Sequence, residues 1–191
     1  IAKGLRPLAE WMLRLPAKGD LRREAAAFVG EQVKDETEAI AGAKDIIAEM
    51  VSDDARVREV IRTSMQKYGH IVTKAKKQHT DERHIYQMYY DHSERIDRVQ
   101  PHRIMAIDRG EKEKVLQVSI SFNEAYVEQW VLRRFLKNRA TCVQEELTAA
   151  IRDGLSRLAI PSVEREVRAA LSERAQEASI DVFSMNVERL L

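Results

Sequence analysis

Residues 35–75 read DETEAIAGAKDIIAEMVSDDARVREVIRTSMQKYGHIVTKA. Asp35 and Glu38 have capping-box spacing, and they precede Ala39, Ala43, Ile46, Ile47 and Met50, an apolar stripe at helical period. Ser52 stands where a cap is wanted for a second helix, whose inward face would be Val57, Val60, Ile61, Met65 and Tyr68. Gly69 occupies the position at which helices commonly end on a left-handed residue. The period then changes, and residues 70–75 read as a short strand. Two helices joined by a tight turn at Ser52 and Asp53, followed by a strand, have the order of a helix-turn-helix with a wing-like ribbon.

Upstream, Leu5, Leu8, Ala9, Met12 and Leu13 share one helical face. That helix is predicted to stop before Pro16, because proline disfavours helical backbone in the residue ahead of it. Asp20 is predicted to cap a short helix burying Leu21, Ala25 and Phe28. Downstream, residues 84–113 are expected to form two or three short helices, with Pro101 opening the one that carries Ile104 and Ile107. Val115, Leu116, Val118 and Ile120 read as a second strand. Two strands alone are marginal, so they are predicted to pair with each other and lean on helices.

From Ser121 onward the chain reads as helical. Ser121 with Glu124 and Thr141 with Gln144 both have capping-box spacing. The first opens a helix with Tyr126, Trp130 and Leu136, the second one with Val143, Leu147, Ala150, Ile151, Leu155 and Leu158. Pro161 is predicted to reset the chain into a long amphipathic helix carrying Val163, Val167, Leu171, Ala175, Ala178, Val182, Val187 and Leu190. The expected fold is therefore mainly α and multihelical, with a helix-turn-helix-like portion, a small two-stranded β ribbon and a long C-terminal helix. Residues 36–121 would form the helix-turn-helix-like lobe and residues 122–191 the long-helix lobe.

Composition narrows the function classes. The 191 residues hold 32 Lys+Arg against 31 Asp+Glu, for a net charge of +1, so the chain as a whole is neither strongly basic nor acidic. The balance is an average over unlike segments. Residues 20–54 carry four basic and ten acidic groups, and residues 55–114 carry fourteen basic and nine acidic. A single cysteine excludes a disulfide framework and suits a reducing, cytoplasmic setting. No apolar run approaches the roughly 20 residues of a membrane span, so no membrane role is expected.

Catalytic and metal templates do not appear. None of the seven glycines forms a phosphate loop. Cys142 falls just inside a predicted helix and reads as a buried structural thiol. His70, His79, His84, His92 and His102 show no i,i+4 pair or other ligand spacing. Asp91, Glu94 and Asp97 do not match a calcium loop and read as capping groups around Ser93. The chain is expected to be no enzyme and to need no cofactor and no metal.

One stretch has the chemistry of a binding surface. Lys67, Lys74, Lys76, Lys77 and Arg83 cluster along the chain, and Arg56 and Arg62 lie on the polar face of the would-be reading helix. Such cations suit a phosphate backbone, giving salt-dependent and sequence-neutral affinity. The acidic helix before them, with Glu36, Glu38, Asp45 and Glu49, would repel phosphate and suits a protein contact instead.

At this point the residues resemble a known family. The run at residues 40–49, IAGAKDIIAE, is similar to the AGARDIIAE segment of the bacterial transcription accessory protein Tex family. Residues 89–94, YYDHSE, followed by PHR at 101–103 and RGEKE at 109–113, resemble that family's YFDYSE, PSHR and RGEKE segments. PSVEREVR at 161–168 and residues 182–191 resemble its C-terminal helix. Arg95 departs from the pattern, which commonly has proline there. The resemblance implies that longer members carry an RNase H-like YqgF domain, helix-hairpin-helix modules and a C-terminal RNA-binding OB-fold domain. It also implies that this chain, opening on Ile1, is a fragment whose dedicated nucleic-acid contacts lie mainly elsewhere. The expected role is a non-catalytic structural or interaction region of a transcription accessory factor. The alternatives are a direct DNA- or RNA-binding module through residues 56–83 and a docking surface for RNA polymerase or other transcription machinery.

Overall fold

The computed structural model describes residues 4–191. In chain order they form α1 (Arg6–Leu13), α2 (Leu21–Ala26), α3 (Glu36–Asp53), α4 (Ala55–Tyr68), β1 (His70–Ala75), β2 (Asp91–Arg95), α5 (Pro101–Lys112), β3 (Leu116–Ser121), α6 (Glu124–Leu136), α7 (Gln144–Asp153) and α8 (Ile160–Leu190). A 3-10 turn at Gln87–Tyr89 precedes β2, and a π-helical segment at Gly154–Ala159 leads from α7 into α8. The fold is mainly α with one small antiparallel sheet. No helix among the described residues is long and apolar enough to cross a membrane.

The chain forms two compact units, Ile1–Val60 with Glu124–Ser162, and Ile61–Asn123 with Val163–Leu191. In the first, α3 packs against α1, α2, α7 and the π-helical segment. Leu8, Met12, Ile47, Val51, Leu147 and Ile151 are fully buried. Two of the predicted caps, Asp20 and Asp35, are in place. The Asp20 carboxylate accepts from the Arg22 N–H at 3.0 Å, and Asp35 accepts from the Glu38 N–H at 2.8 Å. Glu38 reaches back to the Lys34 N–H at 2.9 Å, one residue beyond the capping-box position.

Several local readings need correction. Ser52 is buried inside α3, and it is the Asp54 carboxylate that caps α4, accepting from Arg56 and Val57 N–H groups at 2.9 and 3.1 Å. Ser121 is the last residue of β3, so α6 opens at Glu124. Thr141 lies two residues before the Val143 cap of α7, and its hydroxyl donates to the Pro16 carbonyl at 2.8 Å. Cys142 is consequently exposed, in the connector ahead of α7. Pro161 does not restart the chain. It has no N–H for the carbonyl a turn earlier, and helical structure continues through it from the π-helical segment into α8. In that segment Gly154 lies against α3, where a Cβ would sit 2.5 Å from the Ala48 carbonyl oxygen.

The second unit is built on a three-stranded sheet of order β2-β1-β3, both pairings antiparallel. The expected pairing of the two strands is present, with Ile71 opposite Ile120. The third strand corrects the reading of residues 84–113 as helical, since Asp91–Arg95 pairs with β1, Val72 opposite Ser93. Ser93 thus caps no helix. Ile71 and Thr73 face inward, and the buried Thr73 hydroxyl donates to the Tyr89 carbonyl at 2.7 Å. Gly69 is not left-handed as expected. Its N–H closes on the Met65 carbonyl at 3.0 Å, and an added Cβ would lie 2.3 Å from that same oxygen.

In this unit α8 buries Val163, Val167, Leu171 and Ala175, one residue per turn. Glu164 accepts from the Ile120 N–H, which covers part of the outer edge of β3. Arg168 joins Asp108 and Glu111 of α5 at 3.0 and 2.9 Å, and the Ser172 hydroxyl donates to Asp108 at 2.5 Å. Beyond Ala178 no residue of α8 is buried, so Val182, Val187 and Leu190 are exposed, contrary to expectation. Tyr68, also assigned inward, is 70% exposed, and Tyr126 of α6 is 58% exposed.

Candidate nucleic-acid interface

The basic stretch begins on β1. Strand alternation turns Ile71 and Thr73 inward and leaves Lys74 exposed, opposite Asp91 on β2 and Gln117 on β3. Lys76 follows the strand, its N–H donating to the Val115 carbonyl at 2.9 Å. Lys77 and Arg83 are exposed on the loop beyond, and Lys67 is exposed in the last turn of α4.

The loop is organised by Asp81. Its carboxylate accepts from the Ile85 and Tyr86 N–H groups at 3.0 Å each and from the Tyr90 hydroxyl at 2.7 Å. Nδ1 of His79 donates to the Lys76 carbonyl at 2.6 Å, and the His79 ring lies 5.2 Å from that of Tyr90. The Tyr86 hydroxyl donates to Glu113 at 2.7 Å. Burial and that hydrogen bond push the Tyr86 phenol up to about 12, so it stays a neutral donor. Sequence reasoning does not foresee this network: Tyr86 is not singled out, and Asp81 and Tyr90 stand out for other reasons, because their partners lie at irregular spacing or just past the end of α5.

Burial acting alone would raise the Asp81 carboxyl. The Tyr86 amide, the Tyr90 hydroxyl, the Ile85 amide and the His84 charge outweigh it and hold the group below its ordinary 3.8. A depressed carboxyl contributes stability that is complete above 3.8 and is lost as the pH falls through the lowered folded value. Tyr90→Phe is therefore expected to move the Asp81 titration upward, as followed by carboxyl-carbon NMR. An unchanged titration would show that the hydroxyl does not hold it.

The two arginines of the stretch are engaged differently from its lysines. Arg56 pairs with Glu59 at 3.2 Å, in the first unit, and Arg62 pairs with Glu166 at 3.1 Å, in the second. Arg58 donates to the Ser52 carbonyl and the Ser162 hydroxyl. The polar face of α4 is thus largely held by neighbours. Lys67, Lys74, Lys77 and Arg83 make no ion pair among the described residues. Of the acidic trio, Glu94 pairs with Arg103 at 2.9 Å and Asp97 with Arg95 at 2.8 Å. Arg95, the departure from the family pattern, also donates to the Lys67 carbonyl at 3.1 Å and so ties the end of β2 to the end of α4. No group of three or more potential metal ligands occurs among the described residues.

Comparison with known sequences decides the family. A model described as Tex central region-like matches residues 17–183. The chain belongs to this family. YdcI of Bacillus subtilis is 42% identical over the whole chain, which covers 27% of that relative. The transcriptional accessory protein Tex of Neisseria gonorrhoeae is 26% identical over 98% of the chain and 25% of its own length. The human S1 RNA-binding domain-containing protein 1 is 27% identical over 78% of the chain and 16% of its own length. The Tex-type region thus spans about a quarter of the bacterial relatives it matches.

Proposed function

We propose that this Tex-type region is a non-catalytic structural and interaction part of a nucleic-acid-associated transcription accessory factor, acting in the cytoplasm. The observation that carries this reading is the family match over residues 17–183, which takes in every element from α2 to most of α8. One relative bears the name transcriptional accessory protein and another is named for RNA binding. The charged groups on α4, α5 and α8 support a structural role, since Arg62 with Glu166 and Arg168 with Asp108 and Glu111 hold helix to helix. The exposed acidic side chains of α3, Asp45 and Glu49, suit docking to a basic partner surface in the transcription machinery. Co-purification from bacterial lysate tests this, with Asp45→Lys/Glu49→Lys as the comparison. RNA polymerase recovered by the wild type and diminished by the variant is expected. Equal recovery by both would overturn the assignment to α3.

A second reading, direct sequence-neutral binding of DNA or RNA, is favoured by Lys67, Lys74, Lys77 and Arg83, exposed and without an ion pair among the described residues. Each phosphate neutralised contributes roughly 0.7 to 0.9 to the slope of log K against log salt. Lys74→Ala/Lys76→Ala/Lys77→Ala is therefore expected to reduce that slope by about 2 for single- or double-stranded oligonucleotides. A slope equal to the wild type's would remove these lysines from the interface.

A further inference from the structure

A second basic surface lies in the other unit, away from the lysine stretch in sequence. Residues 129–144 hold Arg133, Arg134, Lys137 and Arg139 and not one Asp or Glu, although residues 115–191 as a whole carry more acidic than basic groups. Arg134 is occupied, pairing with Asp54 at 3.0 Å and lying 5.9 Å from the Trp130 ring. Arg133, Lys137 and Arg139 are exposed and make no ion pair among the described residues. They surround the connector between α6 and α7, where Arg133 and Arg139 line an open depression of about 580 Å³ together with Gln129, Asn138 and Gln144 and the apolar Leu132, Leu136 and Ala140.

Tertiary structure brings a second basic connector to this one. The Pro16 carbonyl accepts from the Thr141 hydroxyl at 2.8 Å and from the Cys142 N–H at 2.9 Å, across 125 residues of chain. Two residues either side of Pro16 stand Arg14 and Lys18, both exposed and without an ion pair among the described residues.

Both connectors are held in shape. Leu15 is buried at a left-handed φ of 58°, and Lys137 and Asn138 are consecutive left-handed residues at φ 52° and 54°. A bulky leucine takes that conformation only where its surroundings over-determine it. Lys137 is fixed further by its N–H, which donates to the Arg133 carbonyl at 3.0 Å. The nearest acids in sequence are engaged elsewhere or sit at helix starts: Glu10 pairs with Arg6, Asp20 caps α2, Glu128 pairs with Arg152, and Glu145 and Glu146 lie in the first turn of α7, where the helix dipole favours carboxylates. The cations therefore project from rigid loops, and less ordering entropy is lost on binding than from a mobile tail.

We propose that Arg14, Lys18, Arg133, Lys137 and Arg139 form a phosphodiester-binding surface for nucleic acid. Arginines able to grip two phosphate oxygens, set beside Asn138, Gln129 and Gln144 as neutral hydrogen-bond donors, are the side-chain mixture of backbone contacts. Base-edge readout is not implied. The site shares only its class of ligand with the lysine stretch, and its residues are distinct from that stretch.

The test is fluorescence anisotropy of the 191-residue chain with labelled single-stranded RNA and duplex DNA, across a salt series. The variant is Arg133→Gln/Lys137→Asn/Arg139→Gln, with asparagine at 137 because it tolerates the left-handed backbone. Arg14→Gln/Lys18→Gln is the second variant and leaves the left-handed turn at 137–138 untouched. Loss of the three cations should lower the salt slope by about 2 to 3 and weaken binding at least tenfold at low salt, and the pair should lower the slope by about 1 to 2. Poly-glutamate of matched charge should displace the oligonucleotide poorly. Wild-type slopes in both variants, with loss in Lys74→Ala/Lys76→Ala/Lys77→Ala alone, would overturn this surface while leaving the lysine stretch standing. No binding by the wild type at low salt would overturn both. Equal displacement by poly-glutamate would assign the surface to an acidic protein instead.

Discussion

Gly154→Ala is expected to destabilise the protein by about 2 kcal/mol, visible as a lower urea midpoint with an unchanged slope. Two effects oppose each other at this position. Alanine is the better helix former, by about 1 kcal/mol over glycine. Against this, the new Cβ would lie 2.5 Å from the Ala48 carbonyl oxygen and 2.7 Å from its Cα. Both atoms belong to the α3 backbone, which cannot swing aside as a side-chain tip can, so overpacking of about 3 kcal/mol outweighs the propensity gain. Gly42→Ala supplies the control. Its Cβ would meet Leu5 Cδ1 at 2.3 Å, the far end of a side chain, so part of the clash relaxes by rotation and a smaller loss is expected. A raised midpoint in Gly154→Ala would show that α3 and the π-helical segment do not approach so closely.

The second large effect is expected at Arg168. Its side chain is 15% exposed and serves Asp108 and Glu111 together. Arg168→Met keeps most of the alkyl packing but leaves two carboxylates near each other without their cation. Breaking a buried pair costs roughly 3 to 5 kcal/mol, and the 43% exposure of Glu111 lowers the expectation to about 2 to 3 kcal/mol. Asp108→Asn should then cost less in the Arg168→Met background than alone, because the pair interaction is already gone. Additive losses in that double-variant cycle would mean that Arg168 acts through packing and not through its charge.

Elements that announce themselves by local chemistry were legible in residues 35–75 and beyond. Asp20 and Asp35 each have a side chain short enough to reach an N–H two or three residues on, and that geometry needs nothing from elsewhere in the fold. Pro101 likewise opens α5 with its own fixed φ. β2 had no such signal. Its residues DHSER contain no apolar alternation, since a short edge strand is held by backbone pairing to β1 and by its ion pairs. The 3.6-residue period also marked which side of a helix is apolar without marking how much of it is covered. Tyr68 lies at a stripe position and is exposed, and the apolar side of α8 loses its cover after Ala175.

The candidate site divides along the same line. Lys74 and Lys76 stand out in the sequence as a basic run, and Arg56 and Arg62 belong to the same count. Their engagement with Glu59 and Glu166 depends on helix positions that no single window of sequence contains. The cations of the α6–α7 connector were hidden for a related reason, since averaged over residues 115–191 they are cancelled by the acidic groups of that longer segment. Chain order alone sufficed for the helical class, the Asp20 and Asp35 caps, the two apolar strands and the family. Folding decided which charges stay free. The Pro16 carbonyl, shared by Thr141 and Cys142, joins the connector of Arg14 and Lys18 to the one that follows Arg139, because hydrogen bonds close over distances that sequence separation does not measure.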